Sequence, residues 1–410
     1  MFISLVASLT LACGSYGDPS TVDRALDGDD DAIAELRSQG QDGLDELIER
    51  RAALGVSDSR WDTLVDRVAG QRYATHSRLF WYTDLDAAMA EAKRAGKGIV
   101  SLRLLGRLDE DFSCANSRFF RTMLYPDPAV TAVLREHYVL HWESVAKAPR
   151  VTVDFGDGRV LTRTITGNSL HYVLSAYGEV VDVMPGLVGP DAFVAWLATA
   201  APVTHELATI PSIDVRQSAL AAYLHKVHTT LLTQWKTLLR RVGVKAPSGQ
   251  DQLLAATTPE VLETLAVEHT VRLSKESRAL VESLMPKAPD LAAQARGFRP
   301  RLAFRAMPIA MGKSSGERPI LDKLDSVLAT LSRDELNNAY PLRARALMIA
   351  VGAPVVLVTH ALYAELFQTP LDDPWMGMAP LDVFTALPAE LERREVAVAP
   401  TGSGAATANR

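Results

Sequence analysis

Apolar residues along the first part of the chain recur at helical spacing. Between Thr21 and Leu54, rows formed by Ile33, Leu36, Leu44, Leu47 and Ile48 are interrupted by Gly40 and Gly43, which predicts two short helices and a turn. Trp61, Leu64, Val65 and Val68 extend the i, i+3, i+4 pattern into a further helix, so residues 20–76 read as a helical lead-in. The period then changes. Asp84 can cap a helix over Leu85 to Ala95, and Gly96 ends it where glycine relieves left-handed strain. The run IVSLRLL that follows is β-branched and leucine-rich and predicts a buried strand. An acidic turn (Asp109, Glu110, Asp111) leads to Cys114, and Ser117 to Leu124 predicts a helix.

Pro126-Asp127-Pro128 restarts a helix through Arg135, and Tyr138 to Trp142 reads as another strand. VTVDFGDGRVLTRTITG alternates in polarity around Gly156-Asp157-Gly158 and predicts an inserted hairpin. HYVLSAYGEVVDVMPG repeats strand, glycine turn and strand, and Pro190 to Ala198 closes with a helix. Residues 78–200 therefore form an α/β domain with a mixed sheet flanked by helices. From Pro202 to about Glu390 helical periods return, with breaks at 247–249, 286–289 and 311–316, giving a mostly α-helical C-terminal domain over 203–398. The stretch 399–410 has no apolar period and reads as a disordered tail.

Composition narrows the function classes. A length of 410 residues allows two or three domains, and 48% hydrophobic with 22% charged residues is an ordinary globular balance. A formal net charge of −6 supplies no broad positive field, so nucleic acid is not an expected partner. Two cysteines cannot build a disulfide framework, and the histidines have no zinc-site spacing, so neither a metal nor a cofactor is expected. His225 and His228 sit at i and i+3 among Leu224, Val227, Leu231 and Trp235, which reads as a helix face with ordinary histidines.

MFISLVASLTLA at the amino terminus is far shorter than the roughly 20 apolar residues of a membrane-spanning helix. It resembles the apolar core of a secretory signal within residues 1–17, which predicts export to the periplasm or cell envelope. Cys13, after Leu11-Ala12 and before Gly14-Ser15, resembles the lipid-modified cysteine of bacterial lipoproteins, and a lipid there would be the chain's one membrane attachment. Thr10 stands where those proteins usually have leucine, and no Lys or Arg precedes the apolar run. The alternative is a buried N-terminal helix with a core cysteine.

WYTDLDAAMAEAKRAGKGIVSLRLL, then Cys114-Ala115-Asn116-Ser117, then DPAVTAVLREHYVLHWESV resembles the exported bacterial thioredoxin-like proteins with a degenerate CxxC motif, here CxxS. The order of parts carries the resemblance, over roughly 120 residues: a helix ending in Gly-Lys, a central strand, a Cys-containing loop opening a helix, and a DP-x-V helix before a second strand. The resemblance implies a thioredoxin fold for residues 78–200 and a place for thiol chemistry at Cys114. Two departures bear on that chemistry. Ser117 fills the position of the resolving cysteine, whose role a hydroxyl cannot take. The family's cis-proline before the next strand is replaced by Thr166-Gly167-Asn168-Ser169.

A thiol at a helix start is activated by backbone N–H groups and the helix dipole, and Ser117 can donate to a Cys114 thiolate across one turn. Arg107, Arg118 and Arg121 favour the thiolate while Asp109, Glu110 and Asp111 oppose it. Two readings follow: an interaction or scaffold module that retains a relic motif, with an unidentified protein partner, or a monothiol oxidoreductase acting through Cys114 on a thiol substrate. Gly312-Lys313-Ser314-Ser315-Gly316 matches G-x-S-x-G but lies in a helical region broken by Pro308, which is the wrong context for a hydrolase elbow. Met307 occupies the place of the first glycine of a phosphate loop, which excludes that motif. Trp375 and Met376 beside Pro374 are expected to anchor the C-terminal segment onto the helices.

Overall fold

Aspartates and glycines punctuate the chain as their side chains dictate. Asp29, Asp58, Asp84 and Asp127 each accept backbone N–H bonds at a helix start, while Gly55, Gly70 and Gly96 close helices in the left-handed conformation. The computed structural model describes residues 19–55, 58–165, 167–241, 275–276, 344, 348 and 354–377. The expected signal segment with Cys13, the breaks at 247–249, 286–289 and 311–316, the Gly312–Gly316 motif and the tail 399–410 lie outside the described residues.

The lead-in consists of α1 (Pro19–Leu26), α2 (Asp30–Ser38), α3 (Gly40–Leu54), α4 (Ser59–Ala69) and α5 (Ala74–Ser77). Three helices, not two, precede Gly55, because Gly28 at φ 93° ends α1 and Asp29 restarts the chain by capping α2. Leu36, Leu44, Leu47, Leu64, Val65 and Val68 form its core, which Phe80 joins from the segment leading into the sheet.

Five strands build the main sheet in the order β1-β3-β2-β6-β7: β1 (Trp81–Tyr82), β2 (Gly98–Leu105), β3 (Tyr138–Ala146), β6 (Ser169–Leu174) and β7 (Val180–Pro185). β3 runs parallel to β1 and β2, whereas β6 is antiparallel to β2 and β7. A helix, α6 (Leu85–Ala95), joins β1 to β2 and packs on β1, β2 and β3. β4 (Arg150–Asp154) and β5 (Val160–Thr164) form the separate hairpin that the alternation around Gly156 to Gly158 predicts. The α/β reading therefore holds at the level of a mixed sheet with flanking helices.

Register assigns the two sheet faces. Ser101 lies opposite His141 and Tyr172, and Leu102 opposite Trp142 and His171, so the first three share one face and the second three the other. β2 is buried along its whole length, which is why it reads as a continuous apolar run.

Two helices depart from expectation. Ser117 to Leu124 is not one α-helix: α7 (Ala115–Phe119) passes into a π-helical turn, Phe120–Leu124, in which Phe120 and Arg121 are both buried. The closing helix, α9 (Pro190–Ala208), runs ten residues past Ala198 because buried Ala200, Thr204 and Leu207 hold it in place through Pro202. α8 (Pro128–His137) packs between β3 and α9, and α10 (Ile213–Arg241) is tied to Glu179, in the turn before β7, through Arg216 at 2.9 Å. Farther along, α11 (Val355–Ala361) and a π-helical turn, Leu362–Leu366, return to the sheet. No helix among the described residues is long and apolar enough to cross a membrane.

Candidate functional site

Cys114 stands where β2 gives way to α7. Gly106, at φ 76°, turns the chain out of β2, and a Cβ there would lie 2.9 Å from the Ser113 Cα. The Cys114 N–H then bonds back to the Leu105 carbonyl at 3.0 Å. Cys114 is the N-cap of α7, with its sulfur accepting the Ser117 N–H at 3.4 Å. The Ser117 hydroxyl donates to the Cys114 carbonyl at 3.0 Å and lies close enough to favour a Cys114 thiolate as well. Both side chains are fully buried. Burial pushes the thiol pKa up, and the hydrogen bonds around it, chiefly the Ser117 N–H, oppose this only in part.

Charges close in sequence are not directed at the thiol. Arg107 pairs with Asp109 at 2.7 Å and Glu110 at 3.3 Å, and Asp111 pairs with Arg72 at 3.1 Å. Arg118 donates to Thr164 Oγ1 at 2.9 Å. Arg121 turns back to the carbonyls of Leu108, Glu110 and Asp111 and fixes the loop before Cys114. Burial and hydrogen bonds, and none of the six neighbouring charges, are the leading influences on thiolate formation.

Opposite the Cys114 turn lies the loop before β6. Asn116 Nδ2 donates to Ser169 Oγ at 3.1 Å, and a Cβ at Gly167 would lie 2.6 Å from Asn116 Oδ1, so a side chain at 167 would displace the amide that joins the two loops. Among the described residues no peptide bond is cis. Asn168 is engaged through both its backbone and its side chain: Tyr363 donates its hydroxyl to the Asn168 carbonyl at 3.2 Å, and Asn168 Nδ2 donates to Thr369 Oγ1 at 2.8 Å. Tyr363 is fully buried in the same core as Cys114, near enough for a thiolate to raise the pKa of its phenol further above the value burial gives it. The segment 354–377 thus seals the site, a role that no local pattern in the sequence signals.

Tyr125 and His171 complete the buried polar set. His171 Nε2 and Tyr125 Oη are 2.8 Å apart, and the imidazole meets Phe120 and Phe193 edge to face at 4.5 and 4.9 Å. Burial lowers its pKa to about 3, so it is neutral. On the other face His141 Nδ1 lies 2.9 Å from Ser101 Oγ, a hydroxyl–imidazole pair enclosed within the sheet, and burial lowers this pKa to about 3 as well.

His225 is exposed on α10, and no group of metal-ligating side chains occurs among the described residues. Met376 enters the main core, whereas Trp375 remains 36% exposed, so the methionine alone anchors this end of the segment, and it does so in the sheet's own core. What these residues define is an α/β domain with a single, sealed thiol at the head of a helix. No family model matches the chain, and neither a curated protein nor a solved structure does.

Proposed function

We propose that residues 78–200 are a thioredoxin-like domain that has left thiol–disulfide exchange and serves as an interaction or scaffold module, exported to the cell envelope. The fold reading is supported by three parallel strands followed by two antiparallel ones, with a CxxS turn opening a helix after the central strand. One observation carries the functional reading: Cys114 is completely buried and Tyr363 bonds to the loop that faces it. Exchange needs an accessible thiolate, and this environment disfavours both access and ionisation. Export and attachment at Cys13 rest on the pattern of residues 1–17 alone.

The test is the rate at which a chromogenic disulfide modifies Cys114 in the folded full-length protein with Cys13→Ala, across pH 6–10. Modification at a small fraction of the rate in denaturant supports the module. Rapid native labelling with an apparent pKa well below the free value of about 8.5 would sink it in favour of the monothiol oxidoreductase. Retention of the Cys13→Ala protein in the membrane fraction would refute lipid anchoring at that residue.

A further inference from the structure

The inserted hairpin is turned inside out. Its β4–β5 ladder pairs Val151 with Arg163 and Val153 with Leu161, so Val151, Val153, Phe155, Leu161 and Ile165 share a face with Arg163. That face looks to solvent, with the five apolar residues 37–53% exposed. The opposite face carries Arg150, Thr152, Asp154, Val160, Thr162 and Thr164 and meets the domain only at its base, where Thr164 receives Arg118 and the Arg150 guanidinium lies 4.5 Å from the Phe112 ring, while Val160 beside the turn is 59% exposed. β5 is half-buried at Thr162 and Thr164, whereas β4 is exposed throughout and forms an open edge.

Backbone phase shows which groups that edge presents. Phe155 N–H bonds to the Arg159 carbonyl at 3.1 Å and Ile165 N–H to the Pro149 carbonyl at 3.2 Å. Residues 151 and 153 therefore bond inward to β5, and the N–H and C=O groups of Arg150, Thr152 and Asp154 point away from it. A lone two-stranded ribbon is marginal in water, and an open edge of this kind invites a further strand.

We infer that β4 pairs with β4 of a second copy of this chain, antiparallel and centred on Thr152. The sequence Arg150-Val151-Thr152-Val153-Asp154 is self-complementary about that centre. Arg150 meets the partner's Asp154, Val151 the partner's Val153, and Thr152 its own equivalent, as a two-fold axis requires. Each outward-facing pair exchanges both backbone hydrogen bonds. Asp154 Oδ1 already accepts the Gly156 N–H at 2.8 Å, which holds the carboxylate in place and leaves its second oxygen for the arginine. Other registers do worse: centring on residue 150 or 154 sets Arg150 against Arg150 or Asp154 against Asp154, parallel pairing aligns like with like, and centring on 151 or 153 sets the charges opposite Thr152 and forfeits the Arg150–Asp154 pairs. The product is a four-stranded ribbon with the valines side by side across the new junction.

The test is sedimentation equilibrium of the full-length protein, with charge exchange at the junction. Arg150→Asp and Asp154→Arg, each alone, are expected to weaken the dimer roughly tenfold, since two pairs per dimer become repulsive, and the double exchange to recover it. In a Cys13→Ala background, Thr152→Cys is expected to cross-link on mild oxidation and Thr162→Cys, on the covered strand, to remain uncross-linked. A monomer at tens of micromolar, a dimer indifferent to Arg150→Asp, a double exchange no better than the single ones, or preferential cross-linking at 162 would each overturn the pairing. Circular dichroism of each variant distinguishes lost pairing from lost fold.

Discussion

The hydroxyl oxygens of Thr359 and Tyr172 share a hydrogen bond of 3.1 Å, although 187 residues separate them in the chain. Thr359 also donates to the Val355 carbonyl at 2.7 Å, so the phenol is left to supply the proton between the two hydroxyls. Together with Tyr363 and Thr369, this pair fastens the segment 354–377 onto β6 and the loop before it.

Removing those fastenings should expose the thiol in graded fashion. Tyr363→Phe deletes one hydrogen bond, about 1 kcal/mol, and should speed native labelling of Cys114 about fivefold. Tyr363→Ala removes a fully buried ring, a change of about 3–5 kcal/mol, and should speed it by roughly a hundredfold or more until global unfolding becomes limiting. Equal labelling rates in both variants and the wild type would show that Tyr363 does not guard the sulfur.

Restoring the second thiol is not expected to restore exchange. Ser117 is as buried as Cys114, so Ser117→Cys should leave reduction of a small disulfide at background. Adding Tyr363→Ala should raise it measurably. Turnover in Ser117→Cys alone would show that the serine, and not the cover, had silenced the site.

Gly70 joins the helical lead-in to the sheet. Its carbonyl accepts the Trp142 indole N–H at 2.7 Å, its φ is 71°, and a Cβ would lie 2.8 Å from the Trp81 carbonyl oxygen. Gly70→Ala combines left-handed strain of about 1–2 kcal/mol with that backbone overlap. A fall in Tm is expected, with the near-ultraviolet signal of Trp142 changed. An unaltered Tm would mean that α4 and β1 separate freely at this point.

Buried histidines give the fold an acid-sensitive side. His141 and His171 have their pKa values lowered to about 3, against 6.5 unfolded, so between those pH values the unfolded chain binds the extra protons. Stability is then lost as pH falls below 6.5, by on the order of 5 kcal/mol for each histidine at the acid end. Asp66 acts in the opposite direction. Burial raises its pKa to about 6 although Ala74 N–H bonds to it at 2.8 Å, so its contribution is full below 3.8 and is lost as pH rises through 6. Urea midpoints against pH should show a shallower acid limb in His171→Phe. Between pH 4 and 6 the two histidines outweigh Asp66, so the rise of stability with pH should be steeper in Asp66→Asn, and identical profiles would refute both assignments.

The legible parts of this chain were those decided within a few residues. Asp84 and Gly96 bracket α6 because a cap and a left-handed glycine act locally, and the apolar run of β2 announces burial on both faces. The hairpin was legible for the same reason, in its alternation and its Gly156-Asp157-Gly158 turn. Where the outcome depends on partners far along the chain, local pattern misleads. Pro202 looks like a break, yet the burial of Leu207 beyond it keeps α9 intact. The arginines around Cys114 look like thiolate stabilisers, yet carboxylates, a threonine hydroxyl and carbonyls claim them. Tyr363 approaches the site from 195 residues beyond Asn168, a distance that no helical or strand period spans.

The bond from Tyr363 to Asn168 also makes any incoming ligand a competitor. A tethered occupant acts at an effective concentration that is independent of how dilute the protein is. A partner that docks at the loop before β6 must therefore bind the bare surface far more tightly than its measured affinity suggests, and each weakened fastening in 354–377 would sharpen that apparent affinity without adding a single contact to the partner.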